Sequence, residues 1–168
     1  MAYKLKISGT VDESIVDGQG IRYTIFTQGC PHKCDGCHNP HTHDFHAGKE
    51  VDIHDLFTEI CENPLLKGVT FSGGEPFCQP EPLIQLAKLI HTHKLDITTY
   101  TGYTLEELEA KANPLIDELL KQTDVLIDGK FINAERDLTL TFRGSHNQRI
   151  IDMNATRKTG TITLLDLT

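Results

Sequence analysis

No stretch of this 168-residue sequence stays apolar over the ~20 residues that a membrane-spanning helix needs, and the opening MAYKLKISGT lacks the apolar core of a secretory signal. A chain without either is expected in the cytoplasm. Basic residues are scarce: 16 Lys and Arg face 24 Asp and Glu, the net charge is −8, and no basic block breaks the acidic balance. Nucleic-acid phosphates would be repelled, which argues against nonspecific binding to DNA or RNA. There is no internal repeat, low-complexity tract or linker, so residues 1–168 are expected to form one domain, close to the ~150 residues typical of one. A disulfide framework is also missing. The five cysteines are odd in number and three share one loop, a pattern of metal chemistry in a reducing compartment.

That loop is Cys30-Pro31-His32-Lys33-Cys34-Asp35-Gly36-Cys37, in which three thiols spaced CxxxCxxC follow a strand-like run over Arg22–Thr27. Closely spaced thiolates are soft ligands and suit zinc or an iron-sulfur cluster. With no fourth cysteine in the loop, a four-iron cubane would keep one iron open for chemistry. The alternative is a structural zinc knot in an interaction module, with His38 or His41 completing a Cys3His set; six of the nine histidines fall between His32 and His54. The spacing alone leaves both open.

Elsewhere strands and helices alternate. Residues 3–7 read as a short strand, the turn Val16-Asp17-Gly18-Gln19-Gly20 leads into the strand before the cysteines, and the histidine-rich stretch 40–50 reads as a solvated loop. Asp52 is placed to cap a helix whose apolar positions are Ile53, Leu56, Phe57 and Ile60, with Cys61 as a packing residue. A strand over 69–71 runs into Ser72-Gly73-Gly74-Glu75-Pro76 and then a helix with Leu83, Leu86, Ala87 and Ile90 on one face. The strand 97–100 precedes Thr101-Gly102 and a capping box from Thr104 to Glu107. Asn113-Pro114 interrupts that helix, Leu115, Ile116, Leu119 and Leu120 form another stripe, and the strand 125–127 meets Asp128-Gly129-Lys130. Residues 138–142, 148–153 and 161–167 read as short strands. The alternation predicts an α/β fold with a parallel sheet, in which the loops after the strands share one rim. On that rim Gly73 and Gly74 would let a ligand approach the backbone, Glu75 would offer a carboxylate to an ammonium group, and Lys130 a cation to a carboxylate.

The cysteine loop together with Ser72-Gly73-Gly74-Glu75 resembles the radical S-adenosylmethionine superfamily. The stretches Val16-Asp17-Gly18-Gln19-Gly20-Ile21-Arg22 and Gly36-Cys37-His38-Asn39-Pro40 resemble, more narrowly, the glycyl-radical activating enzymes. Tyr100-Thr101-Gly102-Tyr103-Thr104-Leu105-Glu106-Glu107-Leu108 and Gly144-Ser145-His146-Asn147-Gln148-Arg149-Ile150-Ile151-Asp152 look like those that act on anaerobic ribonucleoside-triphosphate reductase. The resemblance implies a partial, laterally open (β/α) barrel, since a full one needs about 200 residues or more. It implies a [4Fe-4S] cluster held by Cys30, Cys34 and Cys37, and S-adenosylmethionine contacted by Gly36, Cys37 and His38 near the adenine, by Gly73, Gly74 and Glu75 at the methionine amino group, and by Lys130 at its carboxylate. Many superfamily members carry an aromatic residue just before the third cysteine, where this chain has Gly36. The implied activity is generation of a 5′-deoxyadenosyl radical that installs a glycyl radical on the reductase, with an electron donor such as flavodoxin. The rival readings are an activase of another glycyl-radical enzyme, a small enzyme of the same superfamily acting on a metabolite, as the deazaguanine-forming synthase does, and the zinc module, which would need no Gly-Gly-Glu turn.

Overall fold

Four short runs rich in β-branched and aromatic residues form the centre of the molecule: β2 (Arg22–Thr27), β4 (Gly68–Gly73), β5 (Asp96–Tyr100) and β6 (Val125–Asp128). They pair in parallel in that order, as the strand-helix alternation predicts. The computed structural model describes residues 3–37 and 39–165. Antiparallel strands extend this centre on both sides: β1 (Lys4–Ser14) lies on β2, β3 (Lys49–Asp52) on β1, and β7 (Arg149–Asp152) on β6. The result is an α/β protein with an open seven-stranded sheet of order β3-β1-β2-β4-β5-β6-β7.

Alternation along the strands gives the sheet two different faces. Tyr23, Ile25, Val69, Phe71, Ile97 and Leu126 join one hydrophobic core with the helices. The helices α1 (Ile53–Glu62), α2 (Pro80–Thr92), α3 (Leu105–Ala110) and α4 (Pro114–Gln122) bring Ile53, Leu56 and Ile60, then Leu83, Leu86 and Ile90, then Leu105 and Leu108, then Ile116 and Leu119. Their starts follow the capping chemistry read from the sequence: Asp52 accepts from His54 N, Thr104 and Glu107 form the capping box, and Asn113 accepts from Leu115 N and Ile116 N ahead of Pro114. The other face is polar. Thr24, Thr70 and Thr98 stand in register across β2, β4 and β5 and are buried, with Asp17 accepting from Thr24 Oγ1 and, through its carbonyl, from Thr70 Oγ1. An apolar face holds the fold, and a polar face is left for the site.

Four readings of the sequence need correction. The parallel sheet is only the middle of a mixed one. Residues 49 and 50, assigned to the solvated loop, begin the edge strand β3, whose pairing with residues 4–7 replaces any alternation of its own. Residues 138–142 are a series of turns, and among the described residues of 161–167 there is one isolated bridge, Leu164 to Ile151. After β7, α5 (Met153–Thr159) forms instead, capped by Asp152 and ended by Gly160 in the left-handed conformation, φ 74°.

Candidate active site

The site begins where β2 and β4 end side by side, with Thr27 opposite Gly73. Gly74 N donates to Thr27 O and Glu75 N to Gly29 O, both at 2.8 Å, so the glycine turn is tied to the two residues that lead into Cys30. Only glycine fits there. A Cβ on Gly73, where φ is +90°, would stand 2.6 Å from Thr27 N, and one on Gly74 would stand 2.3 Å from Gly29 O. The close approach that the double glycine permits is therefore first of all between two stretches of backbone.

Beyond this joint lies a cavity of about 360 Å³ lined by Cys30, Cys34 and Cys37 together with Gly73, Gly74 and Thr101. Gly102 and Gly129 also reach it, so all four loops expected on one rim do meet there. Burial pushes the thiols of Cys30 and Cys34 up; at Cys34 the Phe131 amide and the charge of Lys130 pull part of the way back. Binding a metal at these sulfurs must displace their protons. Among the described residues no three His, Cys, Asp or Glu side chains come close enough together to hold a single metal ion. Three cysteines bordering one cavity are soft ligands of the kind that hold an iron-sulfur cluster.

The remaining predicted residues fall into three groups. Glu75 is at the site, but its carboxylate is fully buried and accepts from Thr101 Oγ1 (2.9 Å), Gly102 N (2.8 Å) and Phe77 N (3.1 Å), with His32 Nε2 at 2.6 Å. What faces the cavity at this turn is Ser72, Gly73 and Gly74. Lys130 is exposed outside the lining, and its carbonyl accepts from Asn147 Nδ2. Gly36, φ +74°, is exposed beside the cavity between the lining residues Cys34 and Cys37. His38 lies outside the described residues.

Several residues that the sequence did not single out complete the walls. His32 belongs to the cysteine loop, is 5% exposed, and bonds to Glu75, so the loop and the glycine turn share a buried contact. The Phe131 ring lines the cavity and would lie 3.4 Å from a Cβ on Gly36. The turns of 138–142 contribute Leu140 and Phe142, held by Tyr100 Oη donating to Phe142 O. Burial pushes the Tyr100 phenol up, which keeps that hydroxyl a donor. A usable signal existed for Phe131 alone: it is an aromatic residue one step beyond a rim motif.

The family model of a 4Fe-4S single cluster domain matches residues 16–151. The anaerobic ribonucleoside-triphosphate reductase-activating protein of Haemophilus influenzae is 35% identical over 151 residues, which cover 81% of this chain and 90% of that protein. The pyruvate formate-lyase-activating enzyme of Clostridium pasteurianum is 39% identical over 141 residues, 77% of this chain but 54% of that protein. Among solved structures, the crystal structure of QueE from Escherichia coli matches with a TM-score of 0.48 at 20% identity over 60% of this chain and 53% of the other. The family model, the cysteine cavity and the relatives together define a radical S-adenosylmethionine enzyme with a [4Fe-4S] cluster, of the glycyl-radical activase class. Within that class the chain belongs to the family of the anaerobic ribonucleoside-triphosphate reductase-activating proteins.

Proposed function

We propose that this chain, acting as a single radical S-adenosylmethionine domain over residues 1–168, installs a glycyl radical on an anaerobic ribonucleoside-triphosphate reductase and draws its electron from a donor such as flavodoxin. When bound, the cluster and S-adenosylmethionine supply the one-electron cleavage that gives a 5′-deoxyadenosyl radical. The chain's own residues do the holding. Cys30, Cys34 and Cys37 are the cluster ligands, and the backbone of Gly73 and Gly74 meets the methionine amino group. Glu75 keeps that turn in place through Thr101, Gly102 and His32. Gly36, Cys37 and His38 would contact the adenine, and Lys130 would offer its cation to the carboxylate. The absence of an aromatic residue at Gly36 is made good by the neighbouring ring of Phe131.

Stacking a base on an aromatic ring is worth about 1–3 kcal/mol. Phe131→Ala should therefore weaken S-adenosylmethionine binding roughly tenfold while iron and sulfide per chain stay at the wild-type level. Equilibrium binding to the reconstituted protein reads this out, and an unchanged affinity would remove Phe131 from the adenine site.

The sheet is open, and its polar face with the cavity would be reached from the side through a partial barrel, as a flexible glycine loop of a protein substrate requires. The choice of reductase over lyase rests on one observation: the stretches 100–108 and 144–152 resemble the activases of anaerobic ribonucleoside-triphosphate reductase, the family to which the chain belongs. The test supplies the reduced protein and S-adenosylmethionine with an anaerobic ribonucleotide reductase and a pyruvate formate-lyase at equal concentration under strict anaerobiosis. A glycyl-radical doublet in electron paramagnetic resonance should appear on the reductase and hardly on the lyase. A doublet on the lyase alone would move the chain to the neighbouring activases. No protein radical, with turnover of a small molecule, would favour a metabolite substrate.

A further inference from the structure

His43 has no role in the site as described so far. The segment that carries it runs beside the entry to the cysteine loop: Gly29 N donates to Thr42 O at 2.6 Å and Cys30 N to His43 O at 3.2 Å. Thr42 is fully buried and its hydroxyl donates to Asn39 O at 2.6 Å, so the segment is anchored on both sides of the joint. From this position His43 is one of the residues lining the same cavity as Cys30, Cys34 and Cys37. Its Nε2 is buried and has no hydrogen-bond partner among the described residues. The other buried atom without a hydrogen bond, Asp96 Oδ1, lies 2.6 Å from an Arg22 guanidinium nitrogen and is satisfied as an ion pair. Among the described residues His43 Nε2 is thus the one buried side-chain nitrogen or oxygen with neither kind of partner. A buried polar group left this way is costly, and native structures rarely keep one without a reason.

We propose that His43 is a positioning and tuning residue for the cluster, its Nε2–H donating a hydrogen bond to a cluster sulfur on the Cys30 side. The proposal rests on the reading of Cys30, Cys34 and Cys37 as cluster ligands. Hydrogen bonds to the sulfurs of an iron-sulfur centre stabilise its more negative, reduced form and so raise its potential. The donor would come from the histidine-rich stretch, giving one of those histidines a task that does not require it to bind metal. It would also set how strong a reductant the chain must be supplied with before cleavage can begin.

The full chain, reconstituted anaerobically, is titrated with redox mediators while the reduced-cluster signal is followed by electron paramagnetic resonance. Three proteins are compared: wild type, His43→Phe, which fills the space without a donor, and His43→Gln, whose amide restores one. At a fixed ambient potential His43→Phe should show a ratio of reduced to oxidised cluster about tenfold lower than wild type, a downward shift of about 59 mV for a one-electron couple. His43→Gln should recover most of it, with iron and sulfide per chain equal in all three. Should the phenylalanine variant fail to take up iron, His43→Leu replaces it in the same comparison. An unchanged potential in a fully loaded His43→Phe or His43→Leu overturns the proposal and leaves the cluster reading intact. Equal shifts in the donor and donor-free variants overturn it as well, since they would report shape alone. A wild-type chain that holds no [4Fe-4S] cluster would bring down both.

Discussion

Replacing Cys30, Cys34 or Cys37 by alanine is expected to bring S-adenosylmethionine cleavage to background, whereas Cys61→Ala and Cys78→Ala keep it largely intact. The three loop cysteines border one cavity, and two thiolates cannot hold a cluster that already has only three from the protein. Neither control thiol is among the residues lining that cavity. Cys61 sits half-buried on α1, and Cys78 is exposed beside a separate surface groove with Lys4, Lys6 and Phe45. Cys78 is the harder control. Its amide donates to Glu75 O at 3.0 Å, and its thiol is pushed up to about 11, by lost hydration first and then by the negative charge of Glu75 and Cys30. Iron and sulfide analysis beside a cleavage assay decides the matter: a control that loses its cluster while one of the three loop variants keeps it would show that the ligands are assigned to the wrong residues.

What the sequence disclosed follows how local each signal is. The central strands were legible because each is a short run rich in β-branched or aromatic residues, and β4, β5 and β6 each end at a glycine-containing turn. The helix starts at Asp52, Thr104 and Asn113 were legible because capping is written within four residues. β3 was hidden because Lys49 and Glu50 carry no apolar alternation; only residues 4–7, more than forty positions away, make them a strand. Residues 138–142 misled in the opposite direction. Leu138, Thr139, Leu140, Thr141 and Phe142 alternate like a half-buried strand, yet Leu138 is 78% exposed while Leu140 and Phe142 turn to the cavity. The period was real, but no neighbouring strand took it up.

The site divides along the same line. Three cysteines in eight residues announce a metal centre by themselves, and the double glycine announces a close approach. The sequence could not say what approaches. A carboxylate that meets a ligand and one that holds a turn are the same letter, and the difference at Glu75 depends on Thr101, Gly102 and His32, which come from two other loops. His43 was legible only as one of the six histidines between His32 and His54. Its place beside Cys30 is fixed by two backbone hydrogen bonds that sequence periodicity cannot express.

Gly74→Val should do more than crowd a ligand. From the glycine turn alone, the expected result is weaker S-adenosylmethionine binding with iron near the wild-type level. The backbone joint changes that expectation, because the new Cβ would stand 2.3 Å from Gly29 O and 2.8 Å from Gly29 C, and a backbone cannot rotate aside as a flexible side chain can. To relieve the overlap the turn must lift away from Gly29, which threatens the bonds from Gly74 N to Thr27 O and from Glu75 N to Gly29 O. Two hydrogen bonds and the strain together cost roughly 3–5 kcal/mol, a fall in Tm of about 6–20 °C for a domain of this size. Gly29 immediately precedes Cys30, so cluster loading should fall along with S-adenosylmethionine affinity. Gly9→Ala is the matched control: a Cβ there meets nothing within 4 Å, and its stability should stay within about 0.5 kcal/mol of wild type. Thermal unfolding, iron per chain and S-adenosylmethionine binding on the three proteins separate the two accounts. A Gly74→Val protein with wild-type Tm and full iron but weak binding would return the turn to a role in ligand contact alone, and wild-type values of all three would remove it from the site.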